Sequence, residues 1–188
     1  MRIIAGEFRG RALASLGKGD AAAHLRPTTD RTRESLFSVL QGGRFGDPIT
    51  DARVLDLFAG TGALGLEALS RGADHVTFVE NGRKAQALVS RNIETLQVVD
   101  RSRLIRRDAT RLGRNDGAPF DLIFLDPPYG KGMGERALEA AHAGGWIGNT
   151  ALIVWEEGTD IILPHWCVRE DIRRYGDTEI SLMRAAET

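Results

Sequence analysis

The sequence has few of the groups that form covalent or metal cross-links. It contains a single cysteine, Cys167, which allows no internal disulfide, and its four histidines are scattered along the chain. Neither residue type is spaced as in a thiolate or imidazole metal site, so we expect no metal. One unpaired cysteine suits a reducing compartment, and we expect a cytoplasmic protein.

Long apolar runs are absent as well. No stretch approaches the ~20 apolar residues of a membrane-spanning helix, so we expect no membrane association. Residues 1–7 are too short and too soon charged for a secretory signal. There is no internal repeat, and a chain of 188 residues suits one domain with a small appendage.

Positive charge is concentrated at the front of the chain. Residues 1–46 carry eight Lys/Arg against four Asp/Glu, a net +4, whereas residues 47–188 carry 17 against 22, a net −5. We therefore predict a basic, polyanion-binding extension at 1–46 and a small-molecule-binding domain at 47–188, although an ordinary solvated face gives the same count.

Strand and helix patterns alternate along most of the chain. The first helix is predicted from Thr29 or Asp30 to Gly42, after a weak hairpin at 2–5 and 11–13. Further helices are predicted at 63–71, 82–96 and 133–143. Strands are predicted at 53–58, 75–79, 102–106, 120–126 and 150–155, followed by antiparallel segments at 161–163, 166–172 and 178–183. This order predicts a doubly wound α/β fold with a mostly parallel sheet and an antiparallel edge.

A glycine loop follows the first strand. Gly60, Gly62 and Gly65 satisfy G-x-G-x-x-G before a helix, and Glu80 ends the next strand twenty positions after Gly60. This context predicts a nucleotide across the first two strand ends, with its ribose hydroxyls on Glu80. A dinucleotide and S-adenosylmethionine both meet this description.

Acidic residues at the strand ends favour S-adenosylmethionine. Asp56 would repel a pyrophosphate but can accept hydrogen bonds from a methionyl ammonium group, and Asp108 suits an adenine amino group. Each acid alone could be a strand-end cap. Four of them at successive strand ends are harder to explain in that way: Asp56, Glu80, Asp108 and Asp126.

The segment Asp126-Pro127-Pro128-Tyr129 ends an unalternating apolar strand, because prolines cannot donate ladder hydrogen bonds. An exocyclic base amine is a weak nucleophile. A carboxylate and a proline carbonyl that accept its two hydrogens would aim its lone pair at a methyl group, while Tyr129 stacks on the base. We predict Asp126, Pro127 and Tyr129 as catalytic, acting on a flipped base. A plain strand-to-helix turn is the alternative.

These motifs resemble those of the bacterial 16S rRNA guanine-N2 methyltransferase family. The likeness extends over essentially the whole chain, at 2–6, 9–11, 25–31, 33–34, 36–37, 55–62, 126–129 and 175–178, and residues 130–134 depart from it. It implies a Rossmann-like class I methyltransferase fold with a seven-stranded sheet. It also implies S-adenosylmethionine as cofactor and 16S rRNA, within a small-subunit particle, as substrate. We expect a monomer.

Two residue sets complete these expectations. The predicted cofactor site contains Asp56, Ala59, Gly60, Gly62, Glu80, Asn81, Asp108 and Ala109. The predicted RNA-binding residues are Arg2, Arg9, Arg11, Arg26, Arg31 and Arg33, although the segment at 26–29 could instead cover the methionyl end of the cofactor. The alternatives are a DNA adenine-N6 methyltransferase, for which a recognition domain has little room, a non-catalytic nucleotide- or RNA-binding module, and a dinucleotide-dependent oxidoreductase.

Overall fold

The computed structural model describes residues 1–15, 29–158 and 160–186. Its helices are α1 (Asp30–Leu40), α2 (Ala63–Ser70), α3 (Arg83–Leu96) and α4 (Met133–Ala143). Its strands are β1 (Arg53–Leu57), β2 (His75–Val79), β3 (Ser102–Ile105), β4 (Phe120–Leu125), β5 (Ile147–Glu157), β6 (Cys167–Tyr175) and β7 (Thr178–Ala185). No helix in the described residues has the length and apolar content needed to cross a membrane.

The strands form one seven-stranded sheet in the order β3-β2-β1-β4-β5-β7-β6. The first five strands along the chain pair in parallel, and β7 pairs antiparallel with both β5 and β6. The predicted mostly parallel sheet with an antiparallel edge is confirmed. The chain runs outward from β1 to β3 and then returns, so that β4 lies on the other side of β1. In such sheets a ligand binds where the strand order reverses, which is here between the carboxyl ends of β1 and β4.

The register brings the ends of the parallel strands to one level. Leu57 of β1 lies opposite Val79 and Leu125, and Leu125 lies opposite Trp155 of β5. The next residue of each strand therefore lies at the same edge of the sheet. The four residues at this edge are Phe58, Glu80, Asp126 and Glu156.

The N-terminal extension shares the core of the sheet. Ile3, Leu13 and Phe37 are buried in the same apolar cluster as Val54 of β1 and Phe124 of β4. A second cluster on the other face of the sheet includes α4 residues. The predicted basic extension is therefore packed directly against the sheet.

Buried polar side chains hold the extension in place. Glu67 of α2 accepts hydrogen bonds from the backbone N–H groups of Ile4 (2.9 Å) and Ala5 (3.1 Å). On α3, the fully buried Asn92 accepts from Ala14 N–H (2.7 Å), and its amide donates to the carbonyl oxygens of Ala14 (3.1 Å) and Thr61 (2.9 Å). The extension is therefore joined to α2, which follows the glycine loop, and to α3, which follows the end of β2.

Three predicted elements differ from the structure. The N-terminal hairpin is reduced to one isolated antiparallel bridge between Arg2 and Ala12. Residues 161–163 form no strand, and β5 extends beyond the predicted 150–155 at both ends. Thr29 is confirmed as the N-cap of α1, since its side chain accepts from Thr32 N–H at 3.1 Å.

Candidate active site

The loop after β1 turns sharply into α2. Phe58, Gly60 and Gly62 all have positive φ values, of 59°, 59° and 78°. Gly65 has a different role, because a Cβ atom at this position would lie 2.5 Å from the Phe78 ring and 3.0 Å from Asp56 Oδ2. The absence of a side chain at Gly65 therefore lets α2 pack closely on the strand ends.

Glu80 lies at the end of β2 and is only 8% exposed. Its Oε2 accepts from Gly60 N–H at 2.9 Å and its Oε1 accepts from Gly82 N–H at 2.7 Å. Both carboxylate oxygens are thus fixed against the glycine loop. Since a carboxylate oxygen can accept more than one hydrogen bond, each can still bind a ribose hydroxyl.

Asp56 is buried one residue before the end of β1 and accepts from Gly65 N–H at 3.0 Å. Burial raises the pKa of its carboxyl group to about 8, and the nearby charge of Glu80 acts in the same direction. Because a positive ligand group would lower this pKa, the site favours an ammonium group over a pyrophosphate.

Asp108 follows β3 and caps a short 3₁₀ turn. Its Oδ1 accepts from the backbone N–H (2.9 Å) and the hydroxyl (2.8 Å) of Thr110. These hydrogen bonds give Asp108 a capping role, which was the alternative to its predicted role in binding the adenine amino group. Of the other predicted cofactor residues, Ala59 and Ala109 are buried and Asn81 is exposed. The acceptor-rich, acidic strand ends fit the hydroxyl and ammonium donors of S-adenosylmethionine.

The segment after β4 is fixed mainly through Tyr129. Its hydroxyl donates to Glu156 Oε1 at 2.7 Å and lies 3.3 Å from Thr178 Oγ1. A Cβ atom at Gly158 would lie 2.5 Å from the Tyr129 ring. Burial raises the pKa of the Tyr129 phenol well above its ordinary value, so the hydroxyl remains a neutral donor.

Asp126 lies next to other acids at the same edge of the sheet. Burial raises the pKa of its carboxyl group well above the ordinary value, and the charges of Glu156, Asp56 and Glu157 raise it further. Glu157 also holds the following loop, since its Oε1 accepts from Gly130 N–H at 3.2 Å and from Gly158 N–H at 2.9 Å.

Sequence reasoning missed Glu156, Glu157 and Thr178. The same argument that selected Asp126 could have found the two glutamates, because they end a fifth apolar strand and precede a glycine. Thr178 begins a strand instead of ending one, so the strand-end argument does not select it. It reaches Tyr129 only because β7 returns beside β5.

The predicted RNA-binding arginines divide into separate groups. Arg26 lies outside the described residues, and four of the others are exposed, namely Arg2, Arg9, Arg11 and Arg31. Arg33 requires a correction. Its side chain is completely buried and pairs with Asp30 (3.0 Å) and Glu67 (3.6 Å), and it also donates to the Arg2 carbonyl oxygen. Arg33 is therefore a structural ion pair and is not accessible to a phosphate.

The raised pKa of Asp56 predicts how stability depends on pH. Between the unfolded value near 3.8 and the folded value of about 8, the folded protein binds more protons than the unfolded chain, so stability falls as pH rises through this window. Asp56 should contribute a slope of at most about 1.4 kcal/mol per pH unit. Urea unfolding of the ligand-free protein from pH 5 to about pH 8 should show this slope reduced in Asp56→Asn, and an equal slope in both proteins would contradict the assignment.

Comparisons with known proteins show which family the chain resembles. The family described as Conserved hypothetical protein 95 matches residues 1–184. Ribosomal RNA small subunit methyltransferase D of Escherichia coli K12 is 38% identical over 164 residues, covering 87% of this chain and 78% of that protein. The Haemophilus influenzae protein of the same name is 37% identical over 181 residues, covering 91% and 87%.

A solved methyltransferase structure has a similar fold. The Escherichia coli protein yhhF has a TM-score of 0.85 and 34% identity, covering 100% of this chain and 99% of that one. The predicted Rossmann-like class I methyltransferase fold is confirmed. With matches over nearly its full length, the chain belongs to the Conserved hypothetical protein 95 family, alongside the small-subunit ribosomal RNA methyltransferases D that its motifs resemble.

Proposed function

We propose that this chain transfers a methyl group from S-adenosylmethionine to the exocyclic N2 amine of a guanine in 16S rRNA. The observation that carries the proposal is the position of Asp126 and Tyr129. They follow β4, across the crevice from the glycine loop that follows β1, and Tyr129 is held by Glu156 and Thr178. The small-subunit rRNA methyltransferases among the relatives support the substrate class.

Residues at the carboxyl ends of β1 and β2, and the residue that caps the turn after β3, would hold the cofactor. Glu80 offers acceptors to the ribose, Asp56 accepts from the methionyl ammonium group, and Asp108 lies at the adenine end. When bound, S-adenosylmethionine supplies an electrophilic methyl group. No metal is part of this proposal, and the described residues contain no cluster of three or more potential metal ligands.

The residues after β4 and β5 would act on the base. The Asp126 carboxylate and the Pro127 carbonyl oxygen accept the two amine hydrogens, which directs the nitrogen lone pair toward the methyl group. The Tyr129 ring stacks on the flipped guanine. Because Glu156 and Thr178 fix the hydroxyl of Tyr129, the ring is already oriented before the base arrives.

The exposed arginines of the extension would attract the RNA. Arg2, Arg9, Arg11 and Arg31 are available for phosphate contacts, whereas the domain beyond residue 46 has a net negative charge. We propose that a cytoplasmic monomer acts on rRNA within a small-subunit particle.

The proposal is tested by transfer of a labelled methyl group from S-adenosylmethionine. The substrates are free 16S rRNA, small-subunit particles and duplex DNA, and the products are digested and identified as nucleosides. N2-methylguanosine from the RNA or the particles is expected. N6-methyladenine from DNA would identify the chain as a DNA methyltransferase, and the absence of transfer to all three would overturn the proposal.

Replacement of Glu80 should weaken cofactor binding. Loss of a charge-assisted hydrogen bond costs about 1.5–3 kcal/mol, so Glu80→Ala should lower the affinity for S-adenosylmethionine by roughly one to two orders of magnitude. Isothermal titration calorimetry would measure this change. Glu94→Ala on the exposed side of α3 is the matched control, and an unchanged affinity in Glu80→Ala would remove Glu80 from the site.

A further inference from the structure

A groove of about 660 Å³ lies between α1 and β6, apart from the strand ends that form the candidate active site. Ser35 and Val39 of α1 and Ile172 and Tyr175 of β6 are among its lining residues. Arg173 and Arg174, on the edge strand β6, are the other two lining residues. Cationic side chains beside an aromatic side chain are the combination that binds single-stranded nucleic acid.

The groove begins beside the segment that would hold the target base. Tyr175 of β6 lies directly opposite Thr178 of β7, so the two side chains are on the same face of the sheet. Thr178 Oγ1 is 3.3 Å from the Tyr129 hydroxyl, and the Tyr175 hydroxyl is 2.9 Å from Ser35 Oγ on α1. One cross-strand pair therefore connects the Tyr129 site to the groove.

Both arginines are accessible to a phosphate while they are paired with carboxylates. The Arg173 and Arg174 side chains are 42% and 76% exposed, and they pair with Asp171 at 2.7 Å and Glu179 at 3.1 Å. The carboxylates of Asp171 and Glu179 are only 15% and 16% exposed, so each pair presents its arginine end to solvent, where a phosphate can approach. Asp171 would keep a second cation, since Arg44 lies 3.3 Å away.

We propose that this groove binds the single-stranded RNA that flanks the target guanine, with Arg173 and Arg174 on its phosphates and Tyr175 against a base. The inference rests on the proposed function and adds a second RNA contact to the arginines of the extension. It also accounts for the link from Ser35 to Tyr175, which ties α1 to the hairpin beside Tyr129.

The charge contribution is tested with the double variant Arg173→Ala/Arg174→Ala. The control is Arg103→Ala, because Arg103 is exposed on β3, at the opposite edge of the sheet. Binding to a 16S rRNA fragment is measured over a range of salt concentrations. Each lost phosphate contact lowers the slope of log affinity against log salt by about 0.7 for a single strand, so the double variant should lose about 1.4 and the control nothing.

Cofactor affinity and melting temperature should remain unchanged in the double variant. An unchanged salt slope would overturn the inference. A defect seen with particles but not with free RNA would also overturn it, because the groove would then contact a ribosomal protein. Failure of the proposed function is a separate result, since the wild-type protein itself would then transfer no methyl group to RNA.

The role of the ring is tested with two substitutions at Tyr175. Tyr175→Phe removes the hydrogen bond to Ser35 but keeps the ring, and should retain most of the RNA affinity. Tyr175→Leu removes the ring, and should lower the affinity roughly ten-fold or more. Equal affinities in the two variants, with equal melting temperatures, would show that no base rests on Tyr175.

Discussion

Replacement of Asp126 by alanine is expected to abolish detectable methyl transfer while leaving a folded protein that still binds S-adenosylmethionine. The variant lacks the acceptor that orients the amine and balances the positive charge that develops on its nitrogen. Removal of one such electrostatic contact lowers turnover by about 100-fold or more. Single-turnover assays with saturating RNA would measure the chemical step, and calorimetry would measure cofactor binding.

Asp126→Asn removes the negative charge but keeps an acceptor oxygen in a similar position, so it tests the effect of the charge alone. The ionised carboxylate is the form that acts as acceptor, and burial raises the pKa of Asp126 well above its ordinary value. Wild-type turnover should therefore rise with pH as this group loses its proton, and the rise should disappear in Asp126→Asn. Near-normal turnover in the alanine variant would exclude Asp126 from the reaction.

Replacement of Glu67 by alanine is expected to destabilise the protein by about 3–5 kcal/mol, the usual cost of breaking a buried ion pair. The Glu67 and Arg33 side chains are completely buried, and the change would leave Arg33 with one carboxylate partner, Asp30, among the described residues. It would also remove the acceptor of the N–H groups of Ile4 and Ala5. Urea unfolding would measure the loss.

The control for Glu67→Ala is again Glu94→Ala, an exposed glutamate on the neighbouring helix α3. It should change the free energy of unfolding by less than about 0.5 kcal/mol. A loss below about 1 kcal/mol in Glu67→Ala would mean that the ion pair and hydrogen bonds of Glu67 contribute little to holding the extension. Arg33→Ala should resemble Glu67→Ala, whereas Arg31→Ala should affect salt-dependent RNA binding and leave stability unchanged.

The parts of the fold that could be predicted depend on signals local in sequence. Residues 122–125 form an unalternating apolar run that stops at an acid and two prolines, so both the buried strand and its end follow from adjacent residues. The glycine loop and the acids after β1 and β2 are local signals as well. Because parallel strands place their carboxyl ends at one edge, the sequence alone could bring Asp56, Glu80 and Asp126 together.

The parts that could not be predicted depend on partners distant in the chain. Tyr129 is held by Glu156 and Thr178, which lie 27 and 49 residues away. The sequence suggests an anionic partner for Arg33 because it lies with Arg26 and Arg31 at a helix start, where basic residues oppose the helix dipole, although nearby acids could also pair with them. Its partner Glu67 lies on another helix, and only the packing of α1 against α2 brings the two charges together.

The amide of Asn92 connects the basic extension to the glycine loop. One buried side chain bonds both to Ala14, at the end of the first described segment, and to Thr61 in the glycine loop. If the cofactor shifts the loop, the bonds from Asn92 to the extension change with it, and RNA that shifts the extension acts on the loop in the same way. Because such coupling is reciprocal, each ligand should alter the affinity of the other by the same factor. Substrate and cofactor would then bind cooperatively through a residue that touches neither of them.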